Sequence, residues 1–248
     1  MNEENFHKAI HRLVGNPVKQ YKIKRIGKRT TRIPYESPHS TYWCNATVNL
    51  KAQKVVVDIY LNFQKNSLNA SDFKRIQKLA IDGIGSYWSR SLKVDGKLFN
   101  VVVKPHHRVN DSIDIDLYLE KDSDYSRSFN VGIFGIDASF KYNQGFFSAT
   151  PARADDDFKL VAAHEFGHSV LQNFGGEFFS WSHKGSTHVI PQSVKSITPG
   201  YPSSGSIDLM KYFDHKKGGV SFPRLIRDSK ANEQDVLRLV WLSVIEFI

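Results

Sequence analysis

His164-Glu165-Phe166-Gly167-His168 is the stretch on which the reading of this chain turns. Its histidines are four residues apart. On an α-helix, residues at that separation lie one above the other on the same face, so both imidazoles can reach one metal ion. Zn²⁺ accepts neutral imidazole nitrogen, and in catalytic sites it takes three protein ligands and a water. Glu165 stands beside the first histidine, where its carboxylate could take a proton from that water. The surrounding pattern predicts a helix over 155–173. Leu160, Val161, Ala163, Val170 and Leu171 supply apolar positions, Asp155, Asp156 and Asp157 place negative charge at the N-terminus, and Gly175-Gly176 supplies a stop.

Upstream, the periodicity predicts strands and one long helix. Val55, Val57, Ile59, Leu61 and Phe63 alternate with Val56, Asp58, Tyr60 and Asn62, as a half-buried strand requires. A strand is also expected over 41–50. A helix from about Ser71, capped by Ser71 or Asn69, carries Phe73, Ile76, Leu79, Ala80, Ile84 and Tyr87 on one side. Strands are expected again over 98–104, 113–120, 129–134 and 140–148. The fold class expected is α+β: a mixed or antiparallel sheet with a long backing helix and the motif helix packed on it. Residues 3–13 and a segment opened by Asn232 or Glu233 read as further helices, the last one structural. Residues 193–206, with Pro191 just before them and Pro199, Gly200 and Pro202 within, read as a long loop or lid.

The chain has 248 residues and 40% hydrophobic content, enough for a sizeable core. No apolar run approaches about 18 residues, so no membrane span is expected. The N-terminus is polar and lacks the apolar core of a signal peptide. One cysteine, Cys44, excludes an internal disulfide. The net charge of +9 favours acidic partners. Part of it is local: Lys19, Lys22, Lys24, Arg25, Lys28, Arg29 and Arg32 fall in one stretch that also carries Pro17 and Pro34. That stretch suits a basic linker, so residues 1–40 are divided as an N-terminal helix and linker from a domain over 41–248.

A third ligand must follow the motif helix. The position ten residues after the first histidine is Phe174, which excludes one common spacing. His183, in Ser180-Trp181-Ser182-His183, is the first candidate and Asp208 the alternative; Glu177, Asp214 and His188 are the remaining ones. Tyr201 and Tyr212 are candidates for stabilising a developing oxyanion. His106-His107 read as an exposed pair in a loop after a strand.

The pentapeptide matches H-E-x-x-H, the zinc metallopeptidase signature. Together with HSVLQNFGG, SWSHKGST and YPSSGSIDLMKYF, it resembles the metallopeptidase toxin domains at the C-termini of type VI secretion spike (VgrG) and Rhs-like proteins. The resemblance covers the last third of the chain closely and the upstream sheet in outline. It implies a zincin-like fold, a zinc ion, and His164, His168 and Glu165 in their usual roles. It also implies delivery without a signal peptide into a competing bacterium and peptide or amide hydrolysis in the target periplasm. A cognate immunity protein and attachment to a delivery spike follow from the same likeness. In that family an acidic residue commonly precedes the Ile-Asp-Leu-Met segment, where this chain has Ser206; the departure bears on Asp208 as third ligand. The alternatives are a nucleic-acid-binding module using the basic stretch, or an interaction domain with structural zinc or none.

Overall fold

The architecture is that of a computed structural model, which describes residues 1–14, 21–22, 25–26, 29–30, 33–34, 43–65, 68–108, 115–122, 128, 138–143, 151–175, 184 and 198–244. In chain order, helix α1 (Glu3–Leu13) precedes short strands β1 (Tyr21–Lys22), β2 (Arg25–Ile26), β3 (Arg29–Thr30) and β4 (Ile33–Pro34), which pair β1 with β4 and β2 with β3. Next come β5 (Cys44–Asn49), β6 (Lys54–Lys65), α2 (Ala70–Trp88), β7 (Arg90–Val94), β8 (Lys97–His107), β9 (Ile115–Asp122) and β10 (Ala138–Asn143). The motif helix is α3 (Pro151–Gly175), followed by β11 (Ile207–Asp208), α4 (Phe222–Asp228), β12 (Ser229–Lys230) and α5 (Glu233–Ser243).

Six strands form one mixed sheet in the order β10-β9-β6-β8-β7, with β5 also on β6. The long strand β6 organises it. Val55, Val57 and Ile59 pair with β5 and β8 at once, so those two strands flank β6 on opposite sides. Leu61 pairs with both His107 and Ile115, so β9 takes over where β5 ends. Strands β8, β9 and β10 run parallel to their neighbours in the chain β6-β8 and β6-β9-β10, whereas β5 and β7 are antiparallel. The alternation expected for residues 55–63 is the observed burial except at its end: Val55, Val57, Ile59, Leu61 and Phe63 are buried and Val56, Asp58 and Tyr60 half-buried, but Asn62, expected on the outward face, is buried too, where β9 joins β6.

The helices cover the buried face. Helix α2 starts where Asn69 accepts a hydrogen bond from the Asp72 amide, at 2.8 Å. It buries Ile76, Leu79, Ala80, Ile84 and Trp88 against β8 and α3. Gly83 is the point of closest approach: a Cβ there would lie 2.4 Å from the Lys159 carbonyl oxygen of α3. Helix α3 is apolar on several sides, with Phe158, Ala162, Ala163, Phe166, Val170 and Phe174 buried, because it is packed against α2, β10 and α5 together. It begins at Pro151, so Asp155 lies in its second turn; Asp155 there accepts from Arg75 (2.8 Å) and the Tyr142 hydroxyl (2.6 Å).

Helix α1 belongs to this same core. Phe6 and Ile10 are buried, and the Phe6 ring lies 4.9 Å from Phe99 of β8. Gln234 of α5 donates to the carbonyls of Leu13 and Val14, each at 3.1 Å. A division of the chain at residue 40 therefore separates a helix from the core it completes. Of the strand expected over 113–120, residues 115–120 fall in β9, and of that expected over 140–148, residues 140–143 fall in β10; the rest of both, and the strand expected over 129–134, lie outside the described residues. Among the described residues, no helix is long and apolar enough to cross a membrane.

Candidate metal centre

The rotation of α3 about its axis is set by three contacts. Trp88 Nε1–H donates to the Ala163 carbonyl at 3.0 Å. Phe166 inserts edge-on between Trp88 and Trp43, at centroid distances of 5.4 and 5.9 Å. Gly167 lies under Met210, close enough that a Cβ would fall 2.2 Å from its sulfur. With Phe166 held in the core, helical periodicity carries His164 and His168 to a different side of α3. Their rings are 5.0 Å apart at 87°. His168 and Glu165 are each only 7% exposed, and Glu165 Oε2 lies 4.0 Å from His168 Nε2. The half-buried His164 completes the group.

His164 is oriented by backbone. Its Nδ1 lies 2.7 Å from the Leu209 carbonyl oxygen. A carbonyl only accepts, so Nδ1 carries the proton, and in the neutral ring Nε2 carries the lone pair. This is the tautomer a metal-ligating histidine needs, with the second nitrogen held by an outer partner.

The Leu209 carbonyl is itself held. Leu209 N–H donates to the Lys230 carbonyl at 2.9 Å, extending the parallel pair β11–β12. Asp208 Oδ1 accepts from the Met210 amide at 3.0 Å. The other bonds of Asp208 come from Lys184 Nζ, at 2.8 Å to Oδ2 and 3.0 Å to Oδ1, and from Asn232 Nδ2 at 2.9 Å. Lys184 also meets Asp235 Oδ2 at 2.5 Å, and Arg238 meets Asp235 Oδ1 at 2.8 Å. Asp235 is fully buried, and burial pushes its carboxyl above the usual range against the pull of Lys184. The Lys184 backbone is anchored too: its carbonyl accepts from the Tyr212 amide at 2.7 Å, and it bridges Lys211 in parallel.

The structure thus brings His164, Glu165 and His168 together and gives Asp208 three bonding partners of its own. Among the described residues, no third His, Cys, Asp or Glu joins a group able to hold a metal. His183, His188 and Glu177 lie outside the described residues. Asp214 closes a turn, its Oδ1 accepting from the Lys216 amide at 2.9 Å. Phe174 packs edge-on against Trp241. Tyr201 stacks on Phe213 at 4.6 Å, and burial, then Tyr212, raises its hydroxyl above the ordinary range. His106 and His107 are the last residues of β8 rather than a loop: His106 Nε2 lies 2.7 Å from Asp58, and His107 Nδ1 accepts from the Phe63 amide at 3.3 Å.

Three participants escaped the sequence reading: Lys184, Asn232 as a side-chain partner, and Asp235. Asp235 sits in a helix whose apolar pattern marks it as structural. The one available signal is its charge, at a position among Val236, Leu239 and Val240 that the packing buries.

Two imidazoles on one helical face, one with its tautomer set, and a buried carboxylate beside them are donor types that zinc accepts, but among the described residues they do not form a group of three placed to hold it. The molecule is thus an α+β protein with a mixed sheet, five described helices and a His-Glu-His group on a buried central helix. Compared with protein-family models, curated proteins and solved structures, the chain matches none of them.

Proposed function

We propose that the chain is a zinc-dependent metallopeptidase with a zincin-like arrangement, in which His164, His168 and His183 hold the metal and Glu165 is the general base. The observation that carries the reading is the 2.7 Å hydrogen bond from His164 Nδ1 to the Leu209 carbonyl. Metal-ligating histidines hold their second ring nitrogen on an outer partner of this kind. His183 is preferred to Asp208 because it directly precedes Lys184, whose backbone is anchored beside Lys211 and Tyr212, next to the segment on His164. The Asp208 carboxylate is bonded to Lys184, Asn232 and Met210.

When bound, zinc supplies Lewis acidity and a water made acidic enough to react near neutral pH. Glu165 accepts the proton of the attacking water and delivers it to the leaving amine. Its burial beside His168 excludes bulk water from that transfer. Strand β10 is the last strand of the sheet order among the described residues, and its Lys141 amide already donates to Ser128 Oγ at 2.9 Å, so an extended peptide adding there as a further strand would displace that contact.

The biological setting proposed is that of an antibacterial effector: a toxin domain carried on a type VI spike, acting on peptide or protein in the target periplasm and countered by an immunity protein. The SWSHKGST and IDLMKYF resemblance supports it. The decisive test pairs metal analysis of the purified chain with growth of bacteria exporting it to the periplasm. About one zinc per chain, lost in His164→Ala, with growth arrest that vanishes in Glu165→Ala, is the expected outcome. Arrest that persists in Glu165→Ala sinks the catalytic reading.

A further inference from the structure

We infer that Asp208 is a positioning residue for His164, acting through the backbone of Met210 and Leu209; this rests on the zinc reading above. The acceptor that sets the His164 tautomer is the Leu209 carbonyl, and its direction follows from the peptide groups on either side. Leu209 N–H is tied to Lys230, and Lys211 N–H donates to the Asp208 carbonyl at 3.2 Å. Between them, the Asp208 carboxylate reaches two residues on and accepts the Met210 amide, a side-chain-closed turn. The Leu209 carbonyl is the group enclosed by that turn.

The carboxylate can do this because it is immobilised. Lys184 bonds both of its oxygens, Asn232 bonds Oδ2, and Lys184 is in turn seated on the buried Asp235, which Arg238 also pairs. On the other side, the Met210 side chain is fully buried and fills the space over Gly167, one residue from His168. The turn is therefore clamped from the α5 side by charge and from the α3 side by packing. A freely solvated aspartate would serve the turn poorly, since its rotamers would compete; here the ion pairs leave it one orientation.

The test uses the full chain, metal-free and zinc-loaded. In metal-free protein labelled with ¹⁵N-histidine, wild-type His164 shows the Nδ1–H tautomer by long-range ring correlations. Asp208→Ala loses that single tautomer, and its zinc affinity, read by competition with a chromophoric chelator, falls about 10–100-fold. Asp208→Asn, whose amide oxygen can still accept from Met210, recovers most of both. Leu92→Ala, which removes buried packing on β7, leaves tautomer and zinc affinity unchanged, separating positioning from general loss of stability. If Asp208→Ala does not fold, Lys184→Met carries the test, giving a smaller loss in both readouts because the Met210 contact survives while its anchor is gone.

Unchanged tautomer and affinity in Asp208→Ala, or in Lys184→Met where the former does not fold, overturn the inference. So does a Co²⁺-substituted protein whose absorption shows a changed ligand set on replacing Asp208 with Asn, since Asp208 would then be a ligand. If the wild-type chain takes up no zinc, both the functional reading and this inference fall. If it binds zinc that His164→Ala loses and Asp208→Ala keeps, only the inference falls.

Discussion

The chain carries several close histidine pairs, His7 and His11 on α1 among them, and the contrast between two others shows what secondary structure does to the same chemistry. His106 and His107 end strand β8, where successive side chains point to opposite faces of the sheet. Accordingly His106 stacks on Tyr60 and meets Asp58, whereas His107 lies against Phe63 and the backbone on the other side. Two adjacent imidazoles never converge. His164 and His168 are farther apart in sequence yet lie 5.0 Å apart, because the helix returns to the same face after four residues. In the strand pair, His106 Nε2 meets a carboxylate, and His107 Nδ1 lies between the Phe63 amide at 3.3 Å and the Leu61 carbonyl at 3.4 Å. In the helix pair, the backbone takes Nδ1 of His164 and leaves Nε2 as the lone-pair nitrogen.

The largest effect that could break this contrast is on catalysis. Glu165→Gln is expected to lower peptide hydrolysis by about 10²–10⁴-fold while zinc content stays at the wild-type level. Full turnover in that variant would remove the general base and leave α3 no more functional than β8. Next, alanine at His164 or His168 should abolish stoichiometric zinc, and alanine at His106 or His107 should leave it intact, both measured by elemental analysis of dialysed protein. Zinc lost from the strand variants instead would reverse the assignment.

The close-approach glycines give the next effects, in stability. Gly83→Ala sets a methyl group against the backbone of Lys159, which cannot swing aside, and should lose about 2–3 kcal/mol in urea unfolding despite the gain in helix propensity. Gly167→Ala meets the Met210 side chain, which has rotamers to spend, and should lose about 1–2 kcal/mol. Because Met210 is displaced there, zinc affinity should fall in Gly167→Ala and not in Gly83→Ala. Smallest of all, His106→Ala removes a partly exposed pair and should shift stability by less than about 1 kcal/mol.

Much of this frame is legible from residues alone. The alternation through Val55–Phe63 marks a one-sided strand, Asn69 marks the start of α2, and the motif places itself on a helix. Strand β7 was passed over although its signal is present: Asp95-Gly96 is the dipeptide of a two-residue hairpin, and both residues have positive φ, 46° and 78°. The start of α3 lies upstream of the expected one, at Pro151, because three aspartates imitate a first turn: Asp155 instead meets Arg75 of α2 and Tyr142 of β10, and Asp156 meets Lys159 one turn on. Illegible in a stronger sense is the Lys184–Asp208–Asp235 arrangement. Its members span 51 residues and share no period, so nothing short of the packed structure brings them together.

That arrangement also has a meaning in time. A chain made from its N-terminus onward presents His164 and His168 well before Asn232, Asp235 and Arg238 exist, and α1 waits for the same helix to receive Gln234 and Trp241. The motif therefore emerges from the ribosome without the support that orients it. The orientation of His164 through this arrangement waits on α5, which is made after the motif itself.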